Sequence, residues 1–282
     1  MPNIAVVTGA NKGIGFAIVR SLCQKLDRSD VVYLTSRDES RGLGAIEKLK
    51  EEGLSPCYHQ LDIGDEESVI RLKEDLEKAH GGIDILINNV GIASWENDLP
   101  FMEKVERTLK TNFFDTLKTY NTLSSILRSN SRVVFLASGL GHTCYRKISS
   151  ELKNCFREAK SEDDVQKLMQ KFISDVRTGN HGEMGWQRGE DTFPPYSVSK
   201  LGVITATKVL AENLKDGPRD GILINTCCPG FVATDLNNHR GRRTIDEGAV
   251  TPVLLALIPR GSSQPQGKYM DAHQKIQDFL TE

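Results

Sequence analysis

Short apolar runs separated by longer stretches of helical spacing are the feature that most narrows the fold. The runs are Ile4–Thr8, Val31–Thr35, Cys57–Leu61, Ile83–Ile87 and Arg132–Ala137. Between them, Ile14, Ile18, Leu22 and Leu26 recur every four residues, and Ser40–Glu52, Asp65–His80 and Glu103–Leu127 show comparable helical spacing. A strand that is apolar throughout is covered on both faces. Strands that alternate with helices build a parallel sheet with helices on each side. Right-handed crossovers then predict a Rossmann-type, doubly wound α/β sheet. Local signals agree. Asp65-Glu66-Glu67 opens the third helix with negative charge, and Gly53 and Gly81 stop the second and third.

The rhythm breaks after Ser138. No strand-like run occurs between Gly139 and Pro195, but Val165, Leu168, Met169, Phe172, Ile173 and Val176 form an apolar stripe at helical spacing. Ser161 predicts its cap and Gly179 its end. Residues 141–192 therefore read as a helical insertion, too short to build a core of its own. A helix from Tyr196 to Leu214, a strand Ile222–Cys227, a helix around Glu247–Leu257 and a strand near Lys268–Met270 follow. The expectation is one dinucleotide-binding catalytic domain spanning all 282 residues.

Composition excludes other classes. A net charge of −2 argues against nucleic acid or an anionic membrane as partner. The six cysteines match no zinc pattern or disulfide scaffold, which predicts reduced thiols. The six histidines show no metal-ligand spacing, so no metal is expected. No apolar run reaches membrane-spanning length, and strand-like residues begin at Ile4 with no basic leader, so the expected compartment is the cytoplasm.

The chemistry is placed at the ends of the apolar runs. Thr8-Gly9-Ala10-Asn11-Lys12-Gly13-Ile14-Gly15 joins the first strand to the first helix. Glycines there permit a tight turn and let backbone approach a pyrophosphate at a helix N-terminus. At the end of the second strand, a carboxylate would hold a ribose 2′-hydroxyl, whereas this chain has Ser36-Arg37. Arg37 can fork onto a 2′-phosphate, and Lys12 protrudes on the same side, which favours NADP(H) over NAD(H). Asp38 complicates this assignment because it too could face the ribose. Asp62-Ile63 and Asn88-Asn89 lie at the same carboxyl edge.

Tyr196 and Lys200 are four residues apart on a helix and share a face. A nearby ammonium favours phenolate and makes the phenol a better acid, able to protonate a carbonyl oxygen as hydride arrives at carbon. Ser138, just past the fifth strand, can hold that oxygen. Asn112 sits mid-helix, where an amide is disfavoured by propensity, and a water bridge to Lys200 would extend a proton relay.

Together, Thr8–Gly15, Asn88–Gly91, Asn112, Ser138, Tyr196-x-x-x-Lys200 and Pro229-Gly230 resemble the short-chain dehydrogenase/reductases over nearly the whole chain. The resemblance implies a catalytic tetrad of Asn112, Ser138, Tyr196 and Lys200. It implies cofactor contacts at Gly9, Asn11, Lys12, Gly13, Ile14, Arg37, Asp62, Ile63, Asn89, Tyr196, Lys200, Val232, Ala233 and Thr234. Tyr58–Ile63, Lys110–Phe114 and Cys227–Gly230 resemble the monomeric carbonyl reductases more narrowly, as does the insertion. That implies an NADPH-dependent reductase of ketones, aldehydes and quinones, monomeric because the insertion covers the tyrosine-bearing helix. Val90, Ala137 and Leu236-Asn237-Asn238 depart from the family's usual residues. Trp95, Trp186 and Leu236 are candidate pocket walls beside Ser138. Two readings compete with broad carbonyl reduction: a dedicated steroid, prostaglandin or pterin reductase or alcohol dehydrogenase, and a non-catalytic NADPH-binding scaffold.

Overall fold

The structure is a computed structural model that describes residues 2–94, 99–188, 193–214, 220–278 and 280. Its strands are β1 (Ile4–Val7), β2 (Val31–Ser36), β3 (Cys57–Gln60), β4 (Ile83–Asn88), β5 (Leu127–Leu136), β6 (Leu223–Cys227), β7 (Tyr269–Met270) and β8 (Ile276–Gln277). They form one eight-stranded sheet in the order β3-β2-β1-β4-β5-β6-β7-β8. Every pairing is parallel except the last, β7 with β8. The chain winds outward from β1 in one direction and from β4 in the other. The carboxyl ends of β1 and β4 therefore flank the switch point where ligands bind in such sheets.

Helices α1 (Gly13–Lys25), α2 (Glu39–Glu51) and α10 (Ile245–Ala256) cover one face. Ile18, Leu22, Ile46, Leu49 and Val253 pack there against Ala5, Val7, Leu34 and Ile87. The opposite face carries α3 (Glu66–His80), α4 (Phe101–Leu109), α5 (Thr116–Ser124) and α9 (Phe193–Asn213). Val6, Leu86, Val133 and Phe135 meet Leu72, Leu109, Phe113, Tyr120 and Leu201 on that side. Successive strand residues thus feed two separate cores, which is why these strands carry no polar alternation.

Three expectations are corrected. The stretch expected as one helix over Glu103–Leu127 runs from Phe101 to Ser124 and is broken by a π-helical turn, Lys110–Asp115. The fifth strand begins at Leu127, not Arg132. Its polar start hid it, yet its buried polar groups find partners: Arg128 pairs with Asp84 at 2.7 Å, and Ser131 Oγ donates to Ile83 O at 3.0 Å. The insertion holds three helices, α6 (Gly139–Lys147), α7 (Ser150–Glu158) and α8 (Glu162–Arg177), where the apolar stripe identified only the last. Ser161 and Asp164 close the predicted cap as a capping box, and Gly179 takes φ +74° after the last turn.

Candidate active site

The site is assembled at the carboxyl edge from the ends of β1, β4, β5 and β6. Gly9 and Gly13 adopt φ of +62° and +60°, so the chain turns from β1 into α1 through backbone that residues with a Cβ avoid. Asn89 staples this turn. Its Nδ2 donates to Thr8 O and Gly9 O at 2.9 and 3.0 Å, and its backbone N–H donates to Thr8 Oγ1 at 3.0 Å. The neighbouring Val90 packs directly against Gly9.

The cradle fits a dinucleotide. Lys12, the N-cap of α1, gives the helix no side-chain acceptor, and the first turn contains no acidic residue. The N-terminal N–H groups are thus left for an anion such as a pyrophosphate. Asn11 and Ile14 lie on the same turn, with Ile14 packed beside the core under α10. Arg37 is exposed just past β2, and its guanidinium has no hydrogen-bond or ionic partner among the described residues. Asp38 is otherwise engaged: it caps α2, accepting from Arg41 N at 2.8 Å, and pairs with the Arg41 guanidinium at 3.8 Å. Its carboxylate is therefore engaged with the start of α2 and partly balanced by Arg41. Asp62 Oδ1 accepts from Gly64 N at 2.9 Å, and Ile63 turns its side chain into the core, leaving main chain to face a cofactor. Across the cleft, Val232 is buried and Ala233 N donates to Arg243 O at 2.9 Å. Thr234 follows as the N-cap of a 3-10 turn, Asp235–Asn237.

The structure brings all four members of the expected tetrad to one place. Ser138 is the N-cap of α6, where its Oγ accepts from Leu140 N at 3.2 Å, and its hydroxyl is near enough to the Tyr196 phenol to favour the phenolate. Lys200 is 4% exposed, donates from Nζ to Leu136 O at 3.0 Å, and lies 5.7 Å from the centre of the Tyr196 ring. A Cβ built on Gly91 would fall 3.2 Å from Lys200 Nζ and 3.6 Å from Asn112 Oδ1, so both side chains converge on the segment after β4.

Asn112 stands inside the π turn. Its Oδ1 accepts from Ile92 N at 2.7 Å, and its Nδ2 donates to Ile92 O and Ser199 Oγ at 2.9 and 3.1 Å. The side chain therefore acts as a clamp that ties the β4 loop to α9. A π turn is a common device at functional sites because it re-aims a residue without ending the helix.

Burial dominates the electrostatics. It pushes the Lys200 ammonium down to about 8, although nearby Cys228 and Cys227 oppose this. Burial also raises the Tyr196 phenol well above its ordinary value, with Cys228 adding and the Ser138 hydrogen bond subtracting. Burial therefore sets the net direction at Tyr196, which is upward where a neighbouring ammonium was expected to lower it. A phenol held protonated is the form that donates.

Several residues outside the tetrad support it. Gly141 lets α6 meet α9: a Cβ there would lie 2.9 Å from both Leu201 N and Ile204 Cδ1. Ser199 receives Asn112 and donates to Tyr196 O at 2.7 Å. Cys228 Sγ accepts from Gly139 N and Gly230 N at 3.2 and 3.3 Å, and Tyr269 hydrogen-bonds the same sulfur. This cluster ties the end of β5 to the end of β6 beside Ser138.

The pocket walls fare differently. Trp95 lies outside the described residues. Leu236 sits half-buried on the 3-10 turn beside Thr234. Trp186 is not brought to the tetrad. It is 2% exposed, wedged against Phe172 and Phe156, and its indole N–H donates to Asp175 at 2.7 Å. It is a core residue of the insertion.

Comparison with known proteins agrees with this geometry. A family model described as short chain dehydrogenase matches residues 3–150 and 182–244, skipping α7 and α8 of the insertion. The chain is 45% identical over 268 residues to carbonyl reductase (NADPH) 3 of Rattus norvegicus, covering 94% of each protein. It is 43% identical over 277 residues to carbonyl reductase (NADPH) 1 of Bos taurus, covering 97% of this chain and 98% of that one. Salutaridine reductase from Papaver somniferum superimposes with a TM-score of 0.83 at 27% identity, covering 95% and 99% of the two chains.

Proposed function

The chain belongs to the short-chain dehydrogenase family and is an NADP(H)-dependent oxidoreductase, and from that premise we propose how its residues reduce a carbonyl and which carbonyls they accept. The observation that carries the reading is the Ser138–Tyr196 hydroxyl pair at the carboxyl edge with Lys200 buried behind it.

NADPH, when bound, supplies the hydride. The glycine turn, the α1 N-terminus and Arg37 would hold its phosphates. Ser138 receives the substrate carbonyl oxygen beside the Tyr196 hydroxyl and orients it. Tyr196 donates its proton to that oxygen as negative charge develops there, a contribution of about 10²- to 10⁴-fold for a positioned acid. Lys200 lies against the Tyr196 ring and stabilises the phenolate that forms. Asn112 fixes the β4 loop that Lys200 rests on, and a water between the two would carry the replacement proton. The substrates are ketones, aldehydes and quinones, accepted broadly.

We further assign the chain as one cytoplasmic, monomeric catalytic domain. What supports monomerity is the cover on α9: Leu168, Met169 and Phe172 of α8 share a core with Leu201 and Val209 of α9. Light scattering of the purified protein is expected to give the mass of one chain; a dimer or tetramer would refute this.

The testing experiment is a panel of unrelated carbonyls followed by loss of NADPH absorbance. Turnover of quinones, aromatic ketones and aldehydes alike is the expected result. Activity confined to one steroid, prostaglandin or pterin would make this a dedicated reductase. Tight NADPH binding with no turnover of any carbonyl would make it a scaffold.

A further inference from the structure

Two segments that frame the cofactor cleft are joined by an ion pair. Lys12 Nζ, from the glycine turn, lies 2.5 Å from Asp235 Oδ2, on the loop after β6. The other carboxylate oxygen, Oδ1, meets His239 Nε2 at 2.9 Å, so the carboxylate is held from both sides. The segments also touch one step earlier, since a Cβ at Gly13 would fall 3.5 Å from Thr234 Cγ2. Lys12, and to a smaller degree His239, hold the Asp235 carboxyl below its ordinary range.

Lys12 has a second direction open to it. Its turn is bonded to the end of β2, where Ala10 N donates to Thr35 O at 2.7 Å. Arg37 follows two residues later on that strand's exit with its guanidinium unpaired among the described residues. A lysine ammonium is a point charge on a flexible four-carbon stem, so it can swing between acceptors. One acceptor is Asp235. The other is an anion on the Arg37 side, where the 2′-phosphate of NADPH is recognised and NADH has only a hydroxyl. An ammonium drawn to the phosphate gives up its 2.5 Å contact with Asp235, and the carboxylate's own charge opposes an incoming phosphate.

We propose that Asp235 is a cofactor-specificity residue: it sequesters Lys12 in the free enzyme, so NADPH binds at the cost of the Lys12–Asp235 pair and NADH does not. The proposal rests on the NADP(H) assignment and goes beyond it. Both side chains are more than half exposed, so the effect is modest.

The test is isothermal titration calorimetry of the full-length protein with NADPH and with NADH at low salt. Wild type, Asp235→Asn, Lys12→Met and the double variant are compared. Asp235→Asn is expected to tighten NADPH by about two- to fivefold and leave NADH unchanged. In the double variant that gain should vanish, because it acts through Lys12. Weaker or unchanged NADPH binding in Asp235→Asn would overturn the proposal. An equal shift for both cofactors would also overturn it and make the pair a clasp over the whole dinucleotide. Failure of the underlying NADP(H) assignment looks different: wild type itself would bind the two cofactors equally.

Discussion

Replacing Lys200 with methionine should abolish catalysis and make the protein more stable. Lys200 is 4% exposed, meets the Leu136 carbonyl at 3.0 Å and the face of Tyr196 at 5.7 Å, and has no ion-pair partner among the described residues. Burial moves its protonation from 10.5 to about 8. At about 1.4 kcal/mol for each tenfold, that displacement is worth about 3 kcal/mol against the folded state wherever both forms would be charged. Between 8 and 10.5 the unfolded chain keeps a proton that the folded one has released, so this cost shrinks as pH rises through that window. Below it, at pH about 7, the full cost is present. Methionine keeps the unbranched stem and carries no charge, but forfeits the ammonium's hydrogen bond to Leu136 O, worth about 1.5–3 kcal/mol. The net expectation is a gain of about 0–2 kcal/mol at neutral pH. Urea unfolding followed by circular dichroism, at neutral pH and again near the upper end of the window, measures it. A variant less stable than wild type at neutral pH would refute the reasoning, as would a difference that does not narrow at high pH.

Other consequences follow from named contacts. Arg37→Ala should weaken NADPH by about ten- to hundredfold and NADH little, because only the former offers a phosphate; calorimetric titration of each cofactor checks this. Trp186→Ala should destabilise by about 3–5 kcal/mol, the usual range for emptying a buried aromatic site, with little change in KM. A large KM change at intact stability would instead return Trp186 to the substrate pocket. Gly141→Ala should lower kcat more than NADPH affinity, because the added methyl pushes α6, and Ser138 with it, away from α9; equal losses in both would count against that placement.

The parts of the site that were legible in the sequence are those whose chemistry is local. The glycine turn, the Tyr196–Lys200 spacing and the Ser161 cap are each written within eight residues. Arg37 was legible as a cation, but only the structure shows that Asp38 is spent capping α2. Long-range and environmental properties were not legible. The π turn at Asn112 has no propensity signature, since Lys110–Asp115 reads as ordinary helix, and it is fixed by bonds to Ile92 and Ser199. Trp186 reads as a possible wall until its indole finds Asp175 and two phenyl rings. The proton affinity of Tyr196 reversed its expected direction because desolvation depends on what α6 and the loops cover, which spacing on one helix does not reveal.

The central claim is that Tyr196 gives its proton to a carbonyl oxygen held by Ser138. Tyr196→Phe removes one oxygen atom and preserves the ring against which Lys200 lies. The direct measurement is carbonyl-dependent NADPH oxidation by wild type and Tyr196→Phe, with NADPH binding confirmed for both by titration. The account predicts a fall in turnover of at least about 10²-fold in a variant that still binds NADPH. Unchanged oxidation by Tyr196→Phe would contradict it.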